Sequence, residues 1–110
     1  MRSTDVALQV LHRSEPDERL GVKLFGKLYQ EASAYAIRHD GRLEVGIFDT
    51  VFARDALQRT WPEGSIAALY SNHPEGDMQP RAGDLENLAA MPDGTKLYIV
   101  CERRCVRWDG

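Results

Sequence analysis

The sequence has few of the features that mark membrane, nucleic-acid-binding or secreted proteins. Its longest apolar runs are only a few residues, far short of a membrane span, and no secretory signal pattern opens the chain. Its 14 Lys and Arg are outnumbered by 17 Asp and Glu, for a net charge of −3, so it lacks the basic surface that phosphate binding requires. We therefore expect a cytoplasmic protein that binds neither nucleic acid nor a membrane.

Cysteine is also scarce, since the chain has only Cys101 and Cys105. A tight turn at the intervening Glu-Arg-Arg could bring the two thiols across from each other, as a disulfide or as half of a metal clip. A structural zinc site would need a second pair of ligands, and cysteines in the cytoplasm are usually reduced. The pattern favours two reduced, packed cysteines.

The chain otherwise has the composition of an ordinary globular protein, with 43% hydrophobic and 28% charged residues. Its 110 residues suit one domain with one core, so we expect a single domain over 1–110. The sequence shows no internal repeat, linker or low-complexity segment.

Hydrophobic periodicity predicts an α+β (mixed α/β) fold in which helices cover a sheet. The dipeptide Asp40-Gly41, between two alternating segments, predicts a hairpin. Asp84 is expected to cap the last helix. In chain order the patterns predict a helix (4–14), three strands (20–28, 32–38, 43–47), a short helix (51–60), a strand buried on both faces (66–70), a loop (72–83), a helix (84–91) and a strand pair (97–101, 105–108).

The segment 71–84 holds the residues best suited to chemistry. A buried strand leads into it and a helix starting at Asp84 follows it, so His73 and Asp84 could converge on one point. Neutral imidazole and carboxylate are both natural zinc ligands. Taken one at a time, His73 could instead be a packed strand-end residue and Asp84 a helix N-cap.

Together these residues resemble the motif of JAB/MPN (JAMM) metalloproteases, in which H-x-H-P, a short loop and S-x-x-D supply the zinc ligands. The most similar pattern is that of RadC-type members, H-N-H-P-S-G-D-x-x-P-S-x-x-D. The positions kept in register are Asn72, His73, Pro74, Gly76, Asp77, Pro80 and Asp84. The resemblance implies a JAB/MPN-like (cytidine-deaminase-like) sheet flanked by helices, with His73 and Asp84 as metal ligands.

Two glutamates are candidates for the residue that polarises the zinc-bound water in this family. The run from Pro16 to Gly21 is similar to the family's P-x-E-x-x-G opening, which assigns the role to Glu18. Glu31 is the alternative, because the segment it begins is similar to the opening strand of RadC-type domains. Spacing favours Glu18, although either could be a solvated surface glutamate.

One departure from the family pattern concerns the metal ligands. Ser71 stands where the family has its first motif histidine. A catalytic zinc needs three protein ligands and an open position for water, and the resemblance leaves only His73 and Asp84 here, as a vestigial pair. Retained affinity would require a recruited ligand, such as His12, His39, Glu18 or a cysteine.

A second departure is Arg81, which stands where the motif serine would help hold the oxyanion. An arginine could take over that role. Its guanidinium could instead replace the metal by pairing with Asp84 and also with Glu18, which would neutralise buried carboxylates. A third possibility is that Arg81 points into water.

The resemblance implies a degenerate, non-catalytic JAB/MPN-like domain, a pseudo-enzyme that needs no cofactor and acts through contact with a protein partner or as a homodimer. Phe48, Val51 and Phe52 could seed such an interface, although core packing is the simpler explanation. The alternative is a working zinc metalloprotease or isopeptidase, with Glu18 or Glu31 as base and Arg81 at the oxyanion. A third reading is shared ancestry with RadC-type domains alone.

Overall fold

The structure is a computed structural model that describes residues 15–25, 30–48, 57 and 60–109. The mixed α+β class predicted from periodicity is confirmed. The helix predicted at 4–14 lies outside the described residues. Of the helix predicted at 51–60, only Leu57 and residue 60 are described. The described elements are α1 (Glu18–Phe25), β1 (Ala32–His39), β2 (Arg42–Phe48), β3 (Ile66–Asn72), α2 (Ala82–Ala90), β4 (Lys96–Cys101) and β5 (Arg104–Trp108).

The five strands form one mixed sheet in the order β2-β1-β3-β4-β5. β1 is antiparallel to β2 and β3, β3 is parallel to β4, and β4 is antiparallel to β5. A parallel pair needs a crossover connection, which α2 and its flanking loops provide between β3 and β4. The loop after β3 therefore leaves from the middle of the sheet.

The strand predicted over 20–28 is wrong, because 20–25 belong to helix α1. Leu20 and Leu24 fit an alternating strand, but they are also four residues apart, the spacing of one helix face. Gly21 and Phe25 repeat that spacing, and Leu20, Gly21 and Phe25 are the buried residues of the helix. The two periods agree over so short a segment, so alternation alone could not separate them.

A cap at the start of α1 is the signal that decides for a helix. Asp17 Oδ1 accepts hydrogen bonds from the backbone N–H groups of Arg19 at 3.0 Å and Leu20 at 3.4 Å. An aspartate in this position satisfies donors that the first turn of a helix leaves free. Pro16-Asp17-Glu18 is thus a helix start, although the apolar residues that follow it also fit the alternation of a strand.

The predicted hairpin at Asp40-Gly41 is confirmed. Both residues have positive φ, 51° and 72°, as the tight turns of two-residue hairpins require. The turn fixes the register of β1 and β2, in which His39 pairs with Arg42.

The β4–β5 hairpin also has a two-residue turn, shorter than the Glu-Arg-Arg turn considered from the sequence. Cys101 therefore pairs with Arg104, and Cys105 pairs with Val100. Paired residues share a face and successive residues alternate, so the two thiols point to opposite faces of the sheet. Both cysteines are free, and the idea that they lie across from each other is wrong.

Each face of the sheet buries one apolar cluster, which is why β3 is buried on both sides. The first cluster, with α1, contains Leu20, Phe25, Ala34, Ala36, Leu43, Ala68, Tyr70, Tyr98 and Val100. The second cluster, on the face of α2, contains Ile37, Leu57, Ala67, Leu69, Met91, Leu97 and Ile99.

Neither described helix is long and apolar enough to cross a membrane.

Candidate functional site

Three polar side chains meet where β3 ends, on the face of the sheet that α2 covers. Ser71 lies in β3, His73 follows the strand, and Asp84 lies in the first turn of α2. Their exposed fractions are only 2%, 0% and 5%. The structure thus brings His73 and Asp84 together, as the motif spacing predicts, and adds Ser71 to them.

Direct hydrogen bonds join these three side chains, which we call the Ser-His-Asp cluster. Ser71 Oγ donates to Asp84 Oδ1 at 2.7 Å and lies 3.0 Å from His73 Nε2. The same Nε2 lies 3.1 Å from Asp84 Oδ2. The other ring nitrogen, Nδ1, lies 2.7 Å from the backbone oxygen of Asp77, which can only accept, so Nδ1 carries a proton.

The centre of the cluster has more acceptors than donors. Once Ser71 donates to Asp84, and Nδ1 of His73 donates to Asp77, Nε2 and Asp84 Oδ2 face each other with no proton assigned between them. The two atoms lie 3.1 Å apart, so a proton on either one would complete a hydrogen bond between them. The polar atoms of the three side chains thus find their partners within the cluster and at Asp77, as burial demands.

Asp84 also fastens the start of α2. The prediction that it is the N-cap is wrong, because Arg81 is the N-cap and Asp84 is the third residue of the helix. Asp84 Oδ2 accepts the backbone N–H of Arg81 at 2.8 Å. One carboxylate therefore satisfies a free donor at the helix start and holds Ser71 and His73.

The side chain of Arg81 points away from Asp84. Its guanidinium donates to Glu31 and to Glu75, the second at 3.0 Å, and its side chain is 36% exposed. Of the possibilities left open by the sequence, the pairing of this guanidinium with Asp84 and Glu18 is not observed, because its partners are Glu31 and Glu75. Arg81 instead ties the residue before β1 to the loop after β3.

The structure does not bring Glu18 to the cluster. Glu18 begins α1, whose buried residues pack on the opposite face of the sheet from Ser71. Glu31 lies nearer, since it binds the N-cap residue of α2. His39, considered as a recruited ligand, ends β1 at the far end of the sheet, with its Nε2 3.2 Å from the backbone oxygen of Glu63. His12 lies outside the described residues.

Ser33 belongs beside the cluster and was not anticipated from the sequence. It pairs with Ser71 in the β1–β3 register, and paired residues share a face. Ser33 is 1% exposed, and its Oγ has no hydrogen-bond partner among the described residues. The signal that could have found it is a serine among the small residues that open β1, beside Ala32 and Ala34.

A second group of titratable side chains lies under α1, away from the cluster. The rings of Tyr70 and Tyr98 stack 5.3 Å apart, and the Tyr70 hydroxyl donates to the backbone oxygen of Asp17 at 2.8 Å. Burial, with smaller contributions from Glu18 and Asp17, raises the pKa of Cys105 to about 12. Cys105 is therefore a protonated thiol at neutral pH.

The geometry of the Ser-His-Asp cluster fits a zinc ion poorly. Ligand atoms on a tetrahedral zinc lie about 2.0–2.2 Å from the metal and hence roughly 3.3–3.6 Å from each other. Ser71 Oγ and Asp84 Oδ1 are 2.7 Å apart, which is a hydrogen-bond distance. Within the described part of the chain, no group of three or more His, Cys, Asp and Glu side chains could hold a metal ion.

Comparison with known proteins leaves the family open. No model of a protein family, no curated protein and no solved structure matches this chain. The likeness to JAB/MPN domains therefore rests on the sequence motifs alone.

Proposed function

We propose that this chain is a JAB/MPN-like domain that does not cut peptide or isopeptide bonds and acts through contact with another protein. The observation that carries the proposal is the position of the Ser71 hydroxyl. It stands where the resemblance would place a ligating histidine, and it bonds directly to Asp84 at 2.7 Å. A histidine there would offer a nitrogen lone pair to a metal, whereas the serine offers a proton to the carboxylate.

Burial of the cluster supports a non-catalytic role. A catalytic zinc keeps one position open for water or substrate. The three side chains of the cluster are at most 5% exposed, and their polar atoms already face one another. Substrate would have to displace these contacts before it could reach His73 or Asp84.

The placement of the acidic residues supports the same conclusion. Water activation needs a carboxylate within hydrogen-bond reach of the reacting water, directly or through one water molecule. Glu18 packs with α1 on the other face of the sheet, and Glu31 is occupied by its ion pair with Arg81. Among the described residues, neither glutamate forms a hydrogen bond to Ser71, His73 or Asp84.

Phe48, one of the three apolar residues considered for an interface, packs against the core. Phe48 is half-buried and packs on the second cluster, with its ring 6.4 Å from that of Tyr35. It therefore belongs to the core, as the simpler explanation held. Val51 and Phe52 lie outside the described residues.

Metal analysis of the protein purified without added chelator tests this proposal. We expect zinc well below one equivalent per chain and no hydrolysis of a peptide or isopeptide substrate. The variant Ser71→His restores the third family ligand, so we expect it to gain zinc, and Ser71→His with His73→Ala to lose it again. Circular dichroism establishes that each variant is folded.

The opposite result would favour the zinc hydrolase. Stoichiometric zinc in the unchanged protein, lost on His73→Ala, contradicts the proposal. In that case Glu31→Gln is the informative change, since Glu31 lies nearer to the cluster than Glu18 does.

A further inference from the structure

The outer edge of β5 is open in the described part of the chain. β5 ends the sheet order, and no strand within residues 15–25, 30–48 and 60–109 pairs with its far side. An edge strand of this kind presents backbone N–H and C=O groups to which another extended segment can bind.

The register of the hairpin shows which groups point outward. Cys101 and Arg104 flank a two-residue turn, so they form the closing pair that exchanges both backbone hydrogen bonds. Bonded and non-bonded pairs then alternate along an antiparallel ladder. The N–H and C=O groups of Cys105 and Arg107 therefore point away from β4, on the side where no described strand pairs with them.

β5 itself carries two arginines, Arg104 and Arg107, and no acidic residue, while Glu18 and Asp17 lie near Cys105 on the α1 face of the sheet. Arg107 has a partner in Asp109 at 3.2 Å, but exposed pairs of this kind contribute little and compete poorly with a new ligand. A second copy of β5 added antiparallel over its full length would place Arg107 opposite Cys105 and diagonally beside the Arg107 of the other copy, and this like-charge approach disfavours a homodimer here. Over 96–109 the basic residues are Lys96, Arg103, Arg104 and Arg107, against Glu102 and Asp109.

A groove of about 330 Å³ lies beside this edge, between α2 and β5. Its apolar side includes Leu88 and Trp108, both packed against the second cluster. Lys96 and Arg107 also line the groove, although their strand partners Ala68 and Tyr98 belong to the cluster on the α1 face. The groove is large enough for an apolar side chain of a bound peptide, with basic groups placed to meet flanking carboxylates.

We propose that β5 binds an extended acidic segment of a partner protein as a sixth strand, with one apolar side chain of that segment in the groove. This inference rests on the proposed function and supplies its contact surface. The other edge strand, β2, shows no such preference of charge. It carries Arg42 and Glu44, and Glu44 accepts a hydrogen bond from Tyr35 at 2.6 Å.

A synthetic probe tests the proposal directly. The probe is a fluorescein-labelled decapeptide of alternating glutamate and valine, and its binding is followed by fluorescence anisotropy in buffer with EDTA. We expect saturable binding, no binding when lysine replaces glutamate, and at least about tenfold weaker binding when the whole backbone is N-methylated. Equal binding of the N-methylated peptide, or of a ten-nucleotide oligothymidylate, overturns the proposal, because it would show a general anion site.

Variants of one residue separate charge from backbone pairing. Arg107→Ala removes the charge and keeps the outward N–H, so we expect binding about three- to tenfold weaker. Arg107→Pro also removes the N–H, which edge strands tolerate, and we expect binding to be lost. Arg42→Ala on β2 is the matched control and should bind as the unchanged protein does. Equal binding by Arg107→Pro and Arg107→Ala overturns strand addition.

Amide hydrogen exchange in the unchanged protein gives a second measurement that does not depend on any variant folding. Peptide binding should slow exchange at Cys105 and Arg107 and leave Val106, already bonded to β4, nearly unaffected. No slowing at a saturating peptide concentration overturns this inference while the metal result still stands. Conversely, a chain that holds zinc and cleaves the probe overturns the proposed function and leaves the binding edge in place.

Discussion

At the scale of single residues, the polar core contains two serines in nearly the same setting. Ser71 and Ser33 are paired across β3 and β1 and are 2% and 1% exposed. Ser71 donates to Asp84, whereas the Oγ of Ser33 has no partner among the described residues. Removing a hydroxyl that satisfies a buried carboxylate costs more than removing one that satisfies nothing.

We therefore expect Ser71→Ala to lower the free energy of unfolding by about 1–3 kcal/mol, because Asp84 Oδ1 loses its donor in a buried position. Ser33→Ala is the matched control, and it should change the free energy by less than about 0.5 kcal/mol. Urea denaturation at neutral pH measures both. Equal losses in the two variants would mean that the Ser71 hydrogen bond is not what holds the cluster.

The residues of the site were predictable from sequence only where they are close along the chain. His73 and Asp84 were expected to converge because a strand end and a helix start flank one loop. The partner of Arg81 could not be predicted, because Glu31 lies 50 residues earlier and only the folded sheet brings it near. Ser33 could not be predicted for the same reason, because only the register of β1 and β3 makes it a neighbour of Ser71.

At the scale of elements, two helical glycines differ in what surrounds them. A Cβ at Gly21 in α1 would lie 2.7 Å from Cys105 Sγ and 2.9 Å from a ring carbon of Tyr70. A Cβ at Gly83 in α2 would meet nothing within 4 Å. Alanine is the better helix former by about 1 kcal/mol, so only the contact with the sheet distinguishes the two sites.

Gly21→Ala should destabilise the protein by about 1–3 kcal/mol, because α1 must move off the sheet to admit the methyl group. Gly83→Ala should instead stabilise it by up to about 1 kcal/mol through helix propensity alone. Thermal unfolding of both variants gives the comparison. A stabilised Gly21→Ala would contradict the close packing of α1 on Tyr70 and Cys105.

The elements themselves were largely predictable, and the exception has a physical cause. Strands β1 to β5 each carry alternating or continuous apolar residues, and the Asp40-Gly41 turn is specified by its need for positive φ. Helix α1 has only eight residues, which is too few for periods of 2 and 3.6 to diverge clearly. Its identity depends on the Asp17 cap and on burial against Tyr70.

At the scale of the whole molecule, alkaline pH should weaken the fold through the groups buried under α1. Burial raises the pKa of Tyr70 and of Tyr98 above the ordinary tyrosine value and raises the pKa of Cys105 to about 12. These groups stay neutral in the folded chain at a pH where they ionise in the unfolded chain. Alkali therefore favours unfolding over the interval between the two pKa values.

We expect the urea midpoint to hold near neutral pH, to begin falling near pH 9, where an ordinary cysteine ionises, and to fall further towards pH 12. Cys105→Ala removes the group that would ionise first on unfolding, so its urea midpoint should fall less between pH 9 and pH 10. The comparison is made against each protein's own midpoint at pH 7. An unchanged slope in Cys105→Ala would contradict the buried thiol as its source.

The order of strands in the sheet was beyond sequence reasoning, since it depends on contacts between distant segments. It has a consequence for how the chain folds. The β1–β2 and β4–β5 hairpins close through two-residue turns and can form within about 1–10 μs, but an isolated hairpin is marginal in water. Among the described strands, β3 alone joins the two, so folding should wait for its long-range docking. The strand that ends at the Ser-His-Asp cluster is thus also the one whose arrival commits the chain to its native topology.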